Sequence, residues 1–119
     1  MHVRSLALTL TILLGASAAT SATAQSSVKS DVRCMLTMSA VQGTPEQKQA
    51  AQMGVYFFAG RLRAQNPSFD YATALRNEAA QMKVSDFQAA LTPCGNQVKA
   101  VIQSLAAAQA ALKDLKIKQ

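Results

Sequence analysis

The chain is poor in the side chains from which most catalytic and metal sites are built. Its 119 residues include one histidine, His2, no tryptophan and only six carboxylates. Imidazole is a common general base and metal ligand near neutral pH, so zinc, haem and Ser-His-Asp chemistry are not expected. The sequence also has no CxxC pair and no glycine-rich phosphate loop. We therefore predict a protein that is not an enzyme and has no catalytic residue, metal ligand or cofactor.

The first 24 residues have the pattern of a secretory signal peptide. Met1–Arg4 is a short basic start, residues 5–19 are apolar, and Ala22-Thr23-Ala24 supplies small residues before a cleavage site. The unbroken apolar stretch is about 14 residues long, short of the roughly 20 that span a bilayer. We expect cleavage near Ala24, which removes His2 and releases a periplasmic chain. A retained membrane anchor is the alternative.

Cys34 and Cys94 form an even pair in a chain expected to reach an oxidising compartment, where such pairs are typically disulfides. The two positions are 60 residues apart, and closing such a loop contributes ~4 kcal/mol by chain entropy. That is comparable to the whole net stability of a small domain. We predict a structural bridge between an early helix and a late one. A redox-active pair and a bridge between two chains are the alternatives.

The first mature helix is predicted from apolar residues at steps of three and four, starting at Asp31. Ser30 is its candidate N-cap, and Gly43 supplies the reversal that ends it near Gln42. The polar residues 25–30 before it are expected to be loose.

The second helix has a stronger start signal. Thr44-Pro45-Glu46-Gln47 combines an N-cap, a proline at the first helical position and a capping-box glutamine, and the helix should run to about Ala64. Its Tyr56-Phe57-Phe58 cluster is a candidate partner patch. The alternatives are that Gly54 and Gly60 allow a neighbouring helix to approach and bury these aromatics, or that the glycines form the floor of an apolar groove.

The third helix is expected from an Asp70 N-cap to about Met82. Glu78 lies on its apolar stripe, where a carboxylate is unusual. We expect this side chain at the edge of the stripe, or paired with one of three arginines: Arg61, Arg63 or Arg76. Acid or base catalysis by Glu78 or Asp70 is the enzyme alternative.

Two more helices are predicted after residue 84. Ser85 and Gln88 form a candidate capping box for a short helix, and Pro93 opens a longer one that ends near Lys116. The longer helix carries apolar residues at alternating steps of three and four, which is a heptad seam: Cys94, Val98, Val101, Leu105, Ala108, Leu112 and Leu115. We expect this seam to pack inside a bundle, and a dimeric coiled coil is the alternative.

No segment alternates with the period of two that strands require. The sequence predicts one all-α domain over residues 25–119, a bundle of four or five helices with one disulfide. The mature part retains 11 basic and six acidic residues, a net charge of +5. Lys113, Lys116 and Lys118 gather at the end and are a candidate contact for an anionic surface. Complementing the helix dipole is the alternative role for these lysines.

Asp31-Val32-Arg33-Cys34-Met35-Leu36 and Pro93-Cys94-Gly95-Asn96 place one cysteine in an early helix and one at the start of a lysine-bearing last helix. This arrangement resembles the HdeA-type acid-stress chaperones of the periplasm. The resemblance implies a bundle that unfolds or dissociates when carboxylates protonate, although six scattered carboxylates provide few groups for such a switch. Tyr56-Phe57-Phe58-Ala59-Gly60 resembles the aromatic-glycine helix of small periplasmic immunity proteins, which implies a toxin inhibitor.

These features predict a non-enzymatic binding protein of the bacterial periplasm, present as a monomer or weak homodimer. The expected partner is another envelope protein or an anionic envelope surface, and nucleic acid is not expected. An acid- or envelope-stress chaperone and an immunity-type inhibitor are the alternative functions.

Overall fold

The computed structural model describes residues 17–113 and 115, with side chains from residue 27 onward. These residues form four α-helices and no strand: α1 (Ser17–Ser39), α2 (Pro45–Gln65), α3 (Tyr71–Gln81) and α4 (Val84–Ala111). The predicted all-α architecture is confirmed, and so is the single disulfide. The predicted signal peptide lies largely outside the described residues. Within the described part of the chain, none of the helices has the length and hydropathy that a bilayer-spanning segment needs.

Helix α1 begins earlier and ends sooner than the sequence predicts. Residues 25–30, expected to be loose, are helical, and Ser30 is inside the helix rather than at its cap. This segment contains no proline or glycine, and Val28 packs against the core, so tertiary contact extends the helix. At the other end the Ser39 hydroxyl donates to the Leu36 carbonyl at 2.7 Å, a local bond that competes with further helix.

The turn into α2 follows the predicted chemistry. Gly43 has φ of +148°, a conformation that favours glycine. Thr44 then caps the helix: its Oγ1 accepts from the Gln47 amide at 3.2 Å, and its own amide donates to Gln47 Oε1 at 2.9 Å. The predicted capping box is therefore confirmed.

Helix α2 buries one face against the other helices. Its fully buried residues are Ala51, Gly54, Phe58 and Leu62. A Cβ at Gly54 would lie 2.9 Å from Met38 Cγ in α1 and 3.2 Å from Val98 Cγ2 in α4. Gly54 is therefore a point at which α1 and α4 both approach α2 closely, as the close-approach interpretation of this glycine predicts.

Helix α3 starts at its predicted cap, where Asp70 Oδ1 accepts from the Thr73 amide at 3.0 Å. The next start differs from the prediction. Helix α4 begins at Val84, and its first turn is closed by Asp86, whose Oδ2 accepts from the Lys83 amide at 2.7 Å. Ser85 and Gln88 do not form the expected box, because the helix starts one residue before Ser85.

The two helices predicted on either side of Pro93 are one continuous helix, so the bundle has four helices over the described residues. Proline lacks an amide hydrogen, and inside a helix it removes one backbone hydrogen bond. Side chains on both sides of it contact the core, Ala90 before and Cys94 after. These contacts hold α4 together across a position that local propensity marks as a break. The helix ends at Ala111, short of the predicted Lys116.

The core lies between α1, α2 and the first half of α4. Its buried apolar residues are Val32, Cys34, Met35, Met38, Phe58, Leu62, Cys94 and Val98. The Cys34–Cys94 disulfide joins α1 to α4 within this core, across Cα atoms 5.3 Å apart. The covalent bridge and the hydrophobic core therefore occupy the same place.

The second half of α4 leaves the bundle. On the predicted heptad seam Cys94 and Val98 are buried, whereas Leu105 and Leu112 are 57% and 56% exposed. The expectation that the whole seam packs inside the bundle is wrong beyond Val101, which is half-buried. The groove that α4 shares with α1 and α2 includes no α4 residue beyond Gln103, and the later seam residues are exposed.

Candidate functional site

An apolar groove runs between the corner where α1 meets α2 and the middle of α4. Its volume is about 660 Å³, within the range of sites that bind small ligands. We call it the α4 groove, and its lining residues are Met38, Val41, Gln42, Gln47, Ala50, Ala51, Leu91, Gly95, Val98, Lys99, Ile102 and Gln103.

The groove exists because small residues leave space between the helices. A Cβ built at Gly95 meets no atom within 4 Å, so the middle of the α4 wall is empty where any other residue would project a side chain. Ala50 and Ala51 form the facing α2 wall. Leu91, one turn before Gly95, and Ile102, about two turns after it, are the larger apolar side chains of the same wall.

The charge of the groove is of one sign. Among its lining residues Lys99 is the single charged side chain, and no carboxylate is present. The other polar members are glutamines, and one of them, Gln47, is held by its capping bond to Thr44. The groove therefore combines apolar walls with one cation at its rim.

A second apolar feature continues from the groove along α4. We call it the α4 seam: Val101, Leu105 and Ala108 lie on α4, Leu112 is its C-cap, and Leu115 follows the end of the helix. Leu105, Leu112 and Leu115 are all exposed, and residues 100–112 contain no charged side chain. Contiguous exposed apolar surface on a small protein typically marks a contact with another molecule.

The candidate partner patch at Tyr56-Phe57-Phe58 is not a single surface. Tyr56 is 69% exposed, whereas Phe58 is fully buried and Phe57 packs against it edge to face with ring centroids 5.0 Å apart. Successive helical residues point about 100° apart, so three in a row cannot share one face. The patch prediction is therefore wrong for Phe58, and most of the cluster belongs to the packed interior, as the close-approach alternative predicts.

The glycines beside this cluster also do not form a groove floor. The space next to Gly54 is filled by Met38 and Val98, and Gly60 is exposed with nothing near it. The open glycine in the described structure that lines a groove is instead Gly95, which the sequence analysis did not single out. The sequence feature that indicates this groove is a glycine within an apolar helical stripe, made by Leu91, Gly95, Val98 and Ile102.

Glu78 is buried and forms an ion pair, but with an arginine that was not predicted. Arg33 Nε donates to Glu78 Oε1 at 2.6 Å and links α1 to α3. The expected partners were Arg61, Arg63 and Arg76, whereas Arg33 is 45 residues from Glu78 in the chain. Asp70, the other candidate acid, is occupied as the cap of α3.

A second buried carboxylate, Asp31, pairs with Arg61. The Arg61 guanidinium lies 3.2 Å from Asp31 Oδ1 and donates to Gln97 Oε1 at 3.0 Å, so it joins α1, α2 and α4. It also stacks over the Phe57 ring, 5.4 Å from its centroid. Asp31 Oδ2 is buried without a hydrogen-bond partner. Burial raises the pKa of Asp31 above its ordinary value of 3.8, and the charge and hydrogen bond of Arg61 oppose that rise in part.

The lysines predicted to meet an anionic surface are described only in part. Lys113 is exposed just after α4 ends, and Lys116 and Lys118 lie outside the described residues. In the part of the chain that the structure describes, no three His, Cys, Asp or Glu side chains come together as a metal site would require.

No protein family, curated protein or solved structure matches this chain. Function is therefore inferred from the residues and geometry described above.

Proposed function

We propose that this chain is a non-enzymatic binding protein of the bacterial periplasm that contacts another protein through the α4 seam. The observation that carries the proposal is a pair of exposed leucines seven residues apart: Leu105, on the part of α4 that projects beyond the core, and Leu112, at the C-cap of that helix. Such a face is complementary to an apolar stripe on a second helix.

Export is supported by the leader pattern and by the disulfide. Disulfides form and persist in oxidising compartments and are rare in the cytoplasm. Cleavage near Ala24 would begin the mature chain inside α1 and leave residues 25–39 of that helix. Val28 and the α1 residues that the structure describes as buried, from Asp31 to Met38, would be retained, so the core contacts described for α1 all belong to the mature chain.

The partner surface should be apolar at its centre and neutral or acidic at its edges. Residues 100–112 are uncharged, and Lys99 and Lys113 flank this stretch. An anionic envelope surface is the other partner that these lysines would attract, joined by Lys116 and Lys118. That contact would be electrostatic and would weaken with salt, whereas apolar contact through Leu105 and Leu112 would persist.

Cross-linking in envelope fractions tests the proposal. Wild-type protein should yield a cross-linked partner that Leu105→Gln loses. Tyr56→Gln is the matched control, because Tyr56 is also a large exposed side chain, at 69% against 57% for Leu105, and lies on α2 outside the seam. Equal recovery of the partner by all three proteins would contradict a role for the seam.

The acid-chaperone alternative needs a fold that acid destabilises, and the two shifted carboxylates act in opposite directions. Hydrogen bonds from Thr73 lower the pKa of Asp70, so its stabilising contribution is present above pH 3.8 and lost as the pH falls through its lowered pKa. The raised pKa of Asp31 has the reverse effect. Dye binding and client-aggregation assays from neutral to acidic pH separate the alternatives, because a protein that stays folded and inactive at low pH is not such a chaperone.

A further inference from the structure

We propose that the α4 groove binds a free single-chain anionic amphiphile, such as a fatty acid. Its alkyl chain lies along the apolar walls, and its acidic head group lies beside Lys99. This site is distinct from the α4 seam, and the inference goes beyond the proposed protein contact.

The shape of the groove fits one extended chain. Its α4 wall runs from Leu91 to Gln103, and twelve residues at the helical rise give a length of about 18 Å. The facing wall is made by the first turns of α2 and by Met38 and Val41 of α1. The volume of about 660 Å³ and the length of this wall leave room for a single alkyl chain.

The walls are mainly apolar, so they contact methylene groups of a ligand and offer few hydrogen-bonding groups. Between the apolar side chains of Leu91 and Ile102 the wall dips at Gly95, where a ligand can approach the helix backbone. Filling this dip with alkyl carbon removes apolar surface of both molecules from water, which is the main driving force for such binding.

The rim selects the head group. Lys99 is the single charge among the lining residues, and no acidic side chain in the lining competes for it. Gln103 lies one turn further along α4 on the same side, so its amide can donate to the same head group. A carboxylate or phosphate is favoured at this end, a neutral head group is tolerated, and a cationic one is repelled.

Three probes with the same alkyl chain test the assignment: dodecanoate, dodecyl maltoside and dodecyltrimethylammonium. Their binding is measured by calorimetry below the concentration at which each forms micelles. We expect affinity in the order anionic, neutral, cationic. Lys99→Gln should weaken dodecanoate about three- to fivefold, as expected for an exposed ion pair, and leave dodecyl maltoside unchanged.

Two glycine variants test the location. Gly95→Leu places a side chain into the groove and should weaken all three probes at least tenfold. It replaces glycine with a better helix former in an open position, so a folding failure is not expected, and thermal unfolding checks this. Gly60→Leu is the matched control. Gly60 is also helical, and a Cβ built there also meets no atom within 4 Å, but it lies outside the groove.

The outcomes distinguish a free amphiphile from a lipid bilayer, and they distinguish the groove proposal from the seam proposal. Binding that survives Gly95→Leu, or no preference for dodecanoate over the cationic probe, overturns the assignment. Association with anionic lipid vesicles that Gly95→Leu leaves intact, without dodecanoate binding, would indicate a bilayer contact and also overturn it. Loss of the cross-linked protein partner in Leu105→Gln, by contrast, concerns the seam alone.

Discussion

Arg61 in α2 and Asp31 in α1 form an ion pair whose carboxylate is buried and whose guanidinium reaches solvent. The two side chains are 39% and 2% exposed, and their charged atoms are 3.2 Å apart. One carboxylate oxygen of Asp31 accepts from Arg61, and the other is buried without a partner. The pair is therefore only half satisfied, and burial outweighs the arginine in raising the pKa of Asp31.

The first prediction concerns pH. Because the folded state raises the pKa of Asp31 above 3.8, the folded chain binds this proton more tightly than the unfolded chain. The contribution of Asp31 to stability is therefore full below pH 3.8 and decreases as the pH rises through its raised pKa. Urea unfolding of wild type and Asp31→Asn between pH 7 and pH 4 measures it. Wild type should gain stability relative to the variant as the pH falls, and a relative loss would show that Arg61 outweighs burial.

The second prediction concerns the disulfide. Replacing both cysteines, Cys34→Ser with Cys94→Ser, should lower the free energy of unfolding by about 4 kcal/mol, because the unfolded chain regains the freedom of a 60-residue loop. A domain of this size has little more than that in total, so we expect a largely unfolded protein at 37 °C. Circular dichroism with urea checks this. Reduced wild type is the control, and a reduced protein as stable as the oxidised one would contradict the prediction.

The third prediction contrasts two glycines of α2. Gly60→Ala should stabilise by about 0.5–1 kcal/mol, because alanine is the better helix former and the position is open. Gly54→Ala should instead destabilise by about 1–3 kcal/mol, because the new Cβ would lie 2.9 Å from Met38 Cγ and force the helices apart. Thermal unfolding of both variants makes the comparison, and a stabilised Gly54→Ala would show that Met38 yields easily.

The fourth prediction concerns self-association. The uncharged seam can pair weakly with a second copy, and an antiparallel pair keeps the two Lys113 side chains at opposite ends. Sedimentation over a wide concentration range should show a monomer at low concentration and some dimer at high concentration. Leu105→Gln should weaken that dimer at least tenfold, since burying a leucine side chain contributes about 1.5 kcal/mol or more. Tyr56→Gln should leave it unchanged.

Much of the fold follows from local signals in the sequence. The Thr44-Pro45-Glu46-Gln47 box and the Asp70 cap predict the starts of α2 and α3 correctly, because capping is decided by side chains within three residues of the start. The predicted break at Pro93 is wrong. Helix propensity reflects only the backbone hydrogen bond that proline removes. Helix propensity does not include the contacts of Ala90 and Cys94 with the core, which stabilise the helix on both sides of Pro93.

The site was less accessible to sequence reasoning. The heptad pattern is visible in the sequence. Which of its residues are buried depends on where the neighbouring helices end, and no local signal in α4 shows that position. The α4 groove depends on Gly95 facing Ala50 and Ala51, residues about 45 positions away. The partner of Glu78 was missed for the same reason, because the Arg33 contact also joins distant parts of the chain.

The neighbouring positions Pro93 and Cys94 have opposite mechanical effects on α4. At Pro93 the helix lacks a backbone hydrogen bond and is intrinsically easiest to bend, yet the adjacent residue carries the covalent link to α1. While the disulfide is intact, it fixes the position of α4 at Cys94 relative to α1. Reduction removes the one covalent link to α1 from the residue next to this proline.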